Sequence, residues 1–417
     1  MAGHRNDIKV LRELAKQYAE VAALPIQEER RQLWSEHNSL RPTRVLVIAT
    51  FGMWNVWCRE IFNDGRMECR DPFYRYYERI LRMQLFQHSI GDDFILEPWI
   101  NHRAAVRSSG GFVNPWGVEE KRINPGVEGG AFRFDPPLKE WSDLEKLRPL
   151  AHQVDEVETG RGLNRLREAV GDILPVNLDR TPVWTGWLSD ISTSLGRMRG
   201  LDQVMIDMYE APEKLHGLLA FMRDHILAQQ AAAEAAGDFS LTSGHNQCHI
   251  YSRELEAPRA NSGPRRRRQL WGYFAAQEFT LVSPAMHEEF MLRYQRPIME
   301  NFGLTAYGCC EDLTRKIGIL RQVSNLRVIA VAPRADLAAC ARAAGTDYVL
   351  SWRPNPADML CCGFDPDRVR RIITAGLESA RGCRVHIHLK DIETLEGDPD
   401  RLRRWVQVVR SACDRVH

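Results

Sequence analysis

A chain of 417 residues carries 56 Lys and Arg against 55 Asp and Glu, a formal net charge of +1, with 44% hydrophobic and 27% charged residues. That balance excludes a largely disordered chain and gives no bulk electrostatic attraction to nucleic acid or an acidic membrane. No apolar run approaches the roughly 18 residues that a bilayer span needs.

The opening Met-Ala-Gly-His-Arg-Asn-Asp lacks the charged-then-apolar layout of a signal peptide, so a cytoplasmic protein is expected. Residues 1–40 read as two helices, the first with Ile8, Leu11, Leu14, Ala15 and Tyr18 at helical spacing. Pro42 interrupts the pattern before a short buried strand at 44–50, and helical spacing returns from Pro72 to Ser89. Beyond residue 90, short apolar runs alternate with long amphipathic stretches. The expected strands are Phe94–Pro98, Ile173–Leu178, Phe239–Ser243, Tyr273–Thr280, Leu304–Tyr307, Arg327–Ala332, Asp347–Leu350 and Arg384–Leu389. The expected helices include 212–235, 284–301, 335–344, 366–380 and 399–412, the last two opening on Asp-Pro and an acidic residue. Strands alternating with helices imply parallel pairing through right-handed crossovers. Eight such units suit a (β/α)8 TIM barrel over 91–417, with 1–90 as an N-terminal helical extension packed on it. No Gly-rich phosphate fingerprint follows a strand, which disfavours a dinucleotide fold.

In a barrel, chemistry gathers at the C-terminal ends of the strands. The groups expected there include Trp99, His102 and Arg103; Asp179 and Arg180, with Trp184 and Trp187; His245, Cys248 and His249; Glu278; Tyr307, Cys309, Cys310 and Glu311; Asn355; and His386, His388, Lys390 and Asp391. Ten cysteines are too sparse for a disulfide-stapled scaffold, so the adjacent Cys309–Cys310 pair is a core feature, a metal site or a reactive thiolate. Thiolates hold zinc tightly, and a carboxylate or imidazole could complete a three-ligand catalytic set. Alternation of strand side chains implies that only one of the two cysteines faces a site, with Cys310 as ligand and Cys309 as structural thiol, unless the backbone turns sharply after Gly308. His386 and His388, two apart in one strand, share a face that suits metal ligation or a buried structural pair. Glu278 interrupts an apolar stretch and must be paired, ligated or protonated. Cys361–Cys362 reads as structural.

The run 271–290, WGYFAAQEFTLVSPAMHEEF, resembles the uroporphyrinogen decarboxylase-like superfamily, as do Phe302–Glu311, Asn325–Pro333, Ser351–Pro356 and Leu389–Asp391 in the same order. The likeness covers roughly residues 40 to 415 and is nearest the branch of corrinoid-dependent methyltransferases. It implies a barrel, zinc, and a methyl group exchanged between a small donor or acceptor and cobalt. No Asp-x-His-x-x-Gly motif occurs, so the corrinoid would arrive on a partner protein. Relatives acting on thiols carry His-x-Cys on one strand and a later Cys, where this chain reads Tyr307-Gly308-Cys309-Cys310. That change suits methyl ethers, such as methoxylated aromatics, better than methyl thiols.

On this reading the zinc ligands come from Cys310, Cys309, Glu278 and His245, and the catalytic groups are Glu278, Glu311, Asp179 and Arg180. Trp99, His102, Trp184, Tyr307 and Asn355 bind substrate. Neither nucleic acid nor membrane is an expected partner, and a homodimer is left open. The alternative is a cofactor-free decarboxylase in which Arg103, Arg180 and Asp179 together bind the substrate's carboxylates and stabilise a protonated intermediate; a barrel that binds without catalysis is a third.

Overall fold

The computed structural model describes residues 2–50, 57–106, 115–124, 126, 133–182 and 190–416. The fold is mixed α/β. Its strands are β1 (Leu46–Ala49), β2 (Ile100–Arg103), β3 (Lys121–Ile123), β4 (Arg133–Asp135), β5 (Val176–Asp179), β6 (Trp271–Phe274), β7 (Leu304–Tyr307), β8 (Leu326–Val331), β9 (Val349–Trp352) and β10 (Arg384–Leu389). Six of them form one parallel sheet in the order β1-β10-β9-β8-β7-β6. β2 and β5 form a separate parallel pair, and β3 with β4 an antiparallel ribbon.

Every residue of β1, β6, β7 and β9 is buried, as expected of parallel strands covered on both faces. The period-two alternation sorts their side chains. Trp271, Tyr273, Ala306, Val328 and Val349 pack together on one face. Phe274, Tyr307, Ile329, Leu350 and Ile387 point the other way, into the main core under the helices.

The N-terminal helices α1 (Ala2–Ala22), α2 (Pro25–Asn38) and α3 (Pro72–Ser89) appear where the periodicity placed them. With α4 (Glu156–Val170), α1 and α3 bury Leu11, Tyr18, Leu81 and Leu166 in a second cluster beside β2 and β5. β1 pairs with β10 along its length, so the boundary expected at residue 90 cuts through the sheet. Farther on, α5 (Ser192–Arg199), α6 (Leu201–Glu210) and α7 (Pro212–Ala235) precede β6. The helices Leu337–Ala344 and Pro366–Ser379 start as read, with Asp336 and Asp365 accepting first-turn N–H groups.

Three strands differ from expectation. Residues 94–98 are a connector, and the strand begins at Ile100. The carboxylates of Asp92 and Asp93 take the Ala49 and Val47 N–H groups, which substitutes for a ladder at that place. Residues 239–243 form turns, with Ser240, Thr242 and Ser243 bonding among themselves. β6 stops at Phe274, because the Ala276 N–H is captured by the Glu311 carboxylate at 2.7 Å. Gln277–Phe279 is then a turn of 3₁₀ helix.

Candidate metal centre

β10 carries His386 and His388 on one face, in register with Leu46 and Ile48 of β1. Both imidazoles are about 1% exposed. The loop after residue 244 brings the third group. Gln247 adopts a left-handed φ of 69°, a conformation that non-glycine residues hold only when their surroundings fix it. Here Asn246 Oδ1 accepts from the Cys248 N–H at 2.9 Å, while the Gln247 side chain is strapped between the Tyr273 hydroxyl and the Arg353 guanidinium. Asn38, at the end of α2, donates to the carbonyls of His249 and Tyr251. Cys248 is thereby presented to the two histidines. Its Sγ lies 3.5 Å from His386 Nε2 and 3.4 Å from His388 Nδ1. The ligand atoms of all three lie within 4.8 Å of one another, and they form the only such group of His, Cys, Asp and Glu among the described residues.

The far nitrogens decide whether this set fits a metal. A ligating imidazole needs one nitrogen free and the other protonated and donating. His386 Nδ1 is 3.0 Å from His37 Nε2, and His37 Nδ1 is 3.4 Å from Thr43 Oγ1. His388 Nε2 is 2.6 Å from Thr50 Oγ1. With both far nitrogens protonated, Thr43 and Thr50 end the two chains as acceptors, and Nε2 of His386 and Nδ1 of His388 are left free toward the sulfur. Burial pushes both imidazoles well below their ordinary pKa, which keeps them neutral. Burial also pushes the Cys248 thiol up to about 12, against the opposite pull of Arg353, Ser351 and Lys390. A bound divalent ion would reverse that, because ligation deprotonates the sulfur. One thiolate and two imidazoles form a three-ligand donor set compatible with zinc.

Cys248 also reaches the wall of a cavity of about 680 Å³. Tyr76, Met83, Phe94 and Trp99 give it an apolar side, and Asn101, Arg103 and Asp179 a polar one. Trp99, which immediately precedes β2 where the sequence reading puts it past a strand end, and Asp179 both line this cavity, and Asp179 is paired with Arg103 at 3.1 Å. Trp184 and Trp187 lie outside the described residues.

The other expected site residues need correction. Cys309, Cys310, Glu278 and His245 do not gather into a ligand set. The two sulfurs touch each other and Lys390, Glu278 accepts from the Ser192 hydroxyl at 2.7 Å, and His245 sits edge-on to Tyr273. Glu311 is fully buried and committed to two backbone donors, Ala276 N and Cys309 N, so it braces the turn. Arg180 is held by Glu156 and Asp238. His102 points toward the helices, bonded to the Tyr77 hydroxyl at 2.6 Å and packed on Gly162 of α4. Tyr307 faces the main core, between His287 and Gln295. Asn355 caps the helix Pro356–Leu360 by accepting from Ala357 N. For His102 and Tyr307 the error is one of strand face: each belongs to the alternate set that packs on helices.

Cys248 stands among the strand-end groups expected from the sequence but not among the expected zinc ligands, because the residues that complete its set are distant in the chain. Its partners lie 138 and 140 residues away. Two local signals were available, the loop that carries His245, Cys248 and His249 and the two-residue spacing of His386 and His388. No protein-family model matches the chain, and a search of curated proteins finds no match either.

Proposed function

We propose that the chain is a zinc-dependent methyltransferase that moves a methyl group between a small methoxylated aromatic and the cobalt of a partner corrinoid protein. The observation that carries this reading is the convergence of Cys248, His386 and His388, with both far imidazole nitrogens satisfied, at the wall of an aromatic-lined cavity. In the same reading the six-stranded sheet and the β2–β5 pair are staves of one (β/α)8 barrel. Supporting this, backbone bonds from Asp93 N to Val47 O and from His245 N to Trp271 O tie the segments ahead of β2 and ahead of β6 to the two edge strands, β1 and β6. The likeness of 271–290 and the later motifs to the uroporphyrinogen decarboxylase-like superfamily points the same way.

Cys248, His386 and His388 hold the ion, while Thr50 and His37 fix the tautomers of the imidazoles. Bound zinc would act as a Lewis acid on the ether or phenolate oxygen, easing departure of the methyl group. Tyr76, Phe94 and Trp99 offer faces to an aromatic ring, and Asn101 and Arg103 offer donors to its polar substituents. A decarboxylase reading loses Arg180 as a carboxylate anchor, since that guanidinium is already bound to two carboxylates.

The test is a single-turnover assay with cob(I)alamin and a methoxylated benzoate, followed by the absorbance of methylcobalamin, beside zinc analysis of the same samples. About one zinc per chain and methyl transfer are expected, both lost in Cys248→Ser. Transfer that survives in Cys248→Ser, or carbon dioxide release by metal-free protein, would contradict the proposal.

A further inference from the structure

We infer that Cys309 and Cys310 form an oxidation-sensitive thiol pair, with Cys310 as the thiol that a peroxide attacks and Cys309 as the thiol that resolves it into a vicinal disulfide. This does not rest on the proposed methyl transfer, because neither sulfur belongs to the candidate metal set.

The geometry begins at the end of β7. Gly308 turns the chain with φ 104°, and a Cβ there would meet Leu313 at 2.7 Å and Ala330 at 3.0 Å, so the turn requires glycine. This sharp turn cancels strand alternation, and both sulfurs end on one side, 3.3 Å apart. The backbone around them is pinned: the Cys309 N–H donates to Glu311 at 2.7 Å, and Arg353 donates to the Cys309 carbonyl. A disulfide bond is about 2.05 Å long, and adjacent Cα atoms lie about 3.8 Å apart, closer than in an ordinary disulfide, so closure takes adjustment of the Cys309–Cys310 peptide as well as of the side chains and gives a readily reduced bond.

The pair is unequal in the way such chemistry needs. Cys309 is about 1% exposed, whereas Cys310 is open to solvent. Lys390 Nζ lies 3.7 Å from the Cys309 sulfur and 4.0 Å from that of Cys310; it is itself paired with Asp391 at 2.6 Å, and the Asp391 carboxylate lies 3.8 Å from the Cys310 sulfur. The contact between the sulfurs raises the pKa of Cys309 and lowers that of Cys310, with Lys390 pulling Cys310 the same way and Asp391 the other. Of two touching thiols, the accessible one with the lowered pKa is the one that reacts first.

The balance is simple. The Cys310 thiolate attacks one oxygen of hydrogen peroxide; an S–O bond forms, the O–O bond breaks, and hydroxide leaves to become water. The Cys309 sulfur then attacks the sulfenic sulfur; the S–S bond forms, the S–O bond breaks, and the departing hydroxide takes the Cys309 proton. Two thiols and one peroxide give one disulfide and two waters.

The Cys361–Cys362 pair supplies an internal control. It is also adjacent and partly exposed, but burial first and the nearby Glu396 carboxylate second push the Cys361 thiol up rather than down. The experiment treats the purified full chain with hydrogen peroxide and maps cysteine states by mass spectrometry over time. The expected result is loss of about 2 Da on the peptide holding Cys309 and Cys310, reversed by dithiothreitol and about tenfold faster than any change at Cys361–Cys362. In Cys309→Ser, dimedone should label Cys310; in Cys310→Ser, Cys309 should stay unlabelled over the same period. A wild-type pair that stays reduced while Cys361–Cys362 oxidises would overturn the inference, as would dimedone labelling of Cys309 in Cys310→Ser.

Discussion

Thr50 is a small residue with a large assigned task. Its hydroxyl is the acceptor that leaves His388 Nδ1 free to face Cys248. Outer partners of this kind orient a ligating imidazole, and losing one weakens metal binding by about 10–100-fold. Thr50→Val keeps the shape and removes the acceptor. Competition of that variant with a chromophoric chelator should show zinc held at least about tenfold less tightly, with unchanged circular dichroism. Unaltered affinity would mean that His388 is oriented by something else. The same scale explains why Cys309 and Cys310 misled the reading of the sequence. Adjacent thiols look like ligands on paper, but the Gly308 turn aims them at each other and at Lys390.

Between elements, the polar groups trapped under the sheet carry the consequences. His287, buried below Pro284, donates from Nε2 to the Tyr307 oxygen, because the Tyr307 hydroxyl itself donates to Gln295 Oε1. Its Nδ1 has no hydrogen-bond partner among the described residues. Protonation there would bury an unpaired donor and a charge, and desolvation accordingly pushes the imidazole down to about 3. An unfolded histidine titrates near 6.5. Between those values the unfolded chain holds a proton that the folded chain does not, so this contribution is complete above pH 6.5 and is lost as pH falls toward 3. The slope for one such proton is about 1.4 kcal/mol per pH unit. Urea midpoints from pH 7 to pH 4 should therefore fall less steeply in His287→Gln than in the wild type, and equal slopes would contradict this account. At the junction of α5 and α6, Arg199 and Asp207 form a two-pronged ion pair, 4% and 2% exposed, and Arg199 also reaches the carbonyls of Leu138 and Lys139. Asp207→Ala leaves that guanidinium buried without its counter-charge and should cost about 3–5 kcal/mol in denaturant unfolding.

For the molecule as a whole, what the sequence made legible follows the range of the interactions involved. Local patterns found α1, α2, α3 and the later strands β7 to β10, because burial on both faces writes a continuous apolar run and helices write their own period. They also found the shared face of His386 and His388. Strand limits failed where a distant carboxylate took over a backbone donor, as Glu311 does at Ala276 and Asp92 at Ala49. The centre itself was half legible, since Cys248 enters from a loop whose shape depends on Asn38, Tyr273 and Arg353, contributed by three other parts of the chain. The central claim is that these distant segments meet to hold one metal ion through one sulfur and two imidazole nitrogens. X-ray absorption at the zinc edge of the zinc-loaded protein tests it most directly. The account predicts one sulfur at about 2.3 Å and two imidazole nitrogens at about 2.0–2.1 Å, with one lighter exchangeable ligand. A shell with two sulfurs would move the ion to Cys309 and Cys310 and contradict it, as would a protein that binds no zinc.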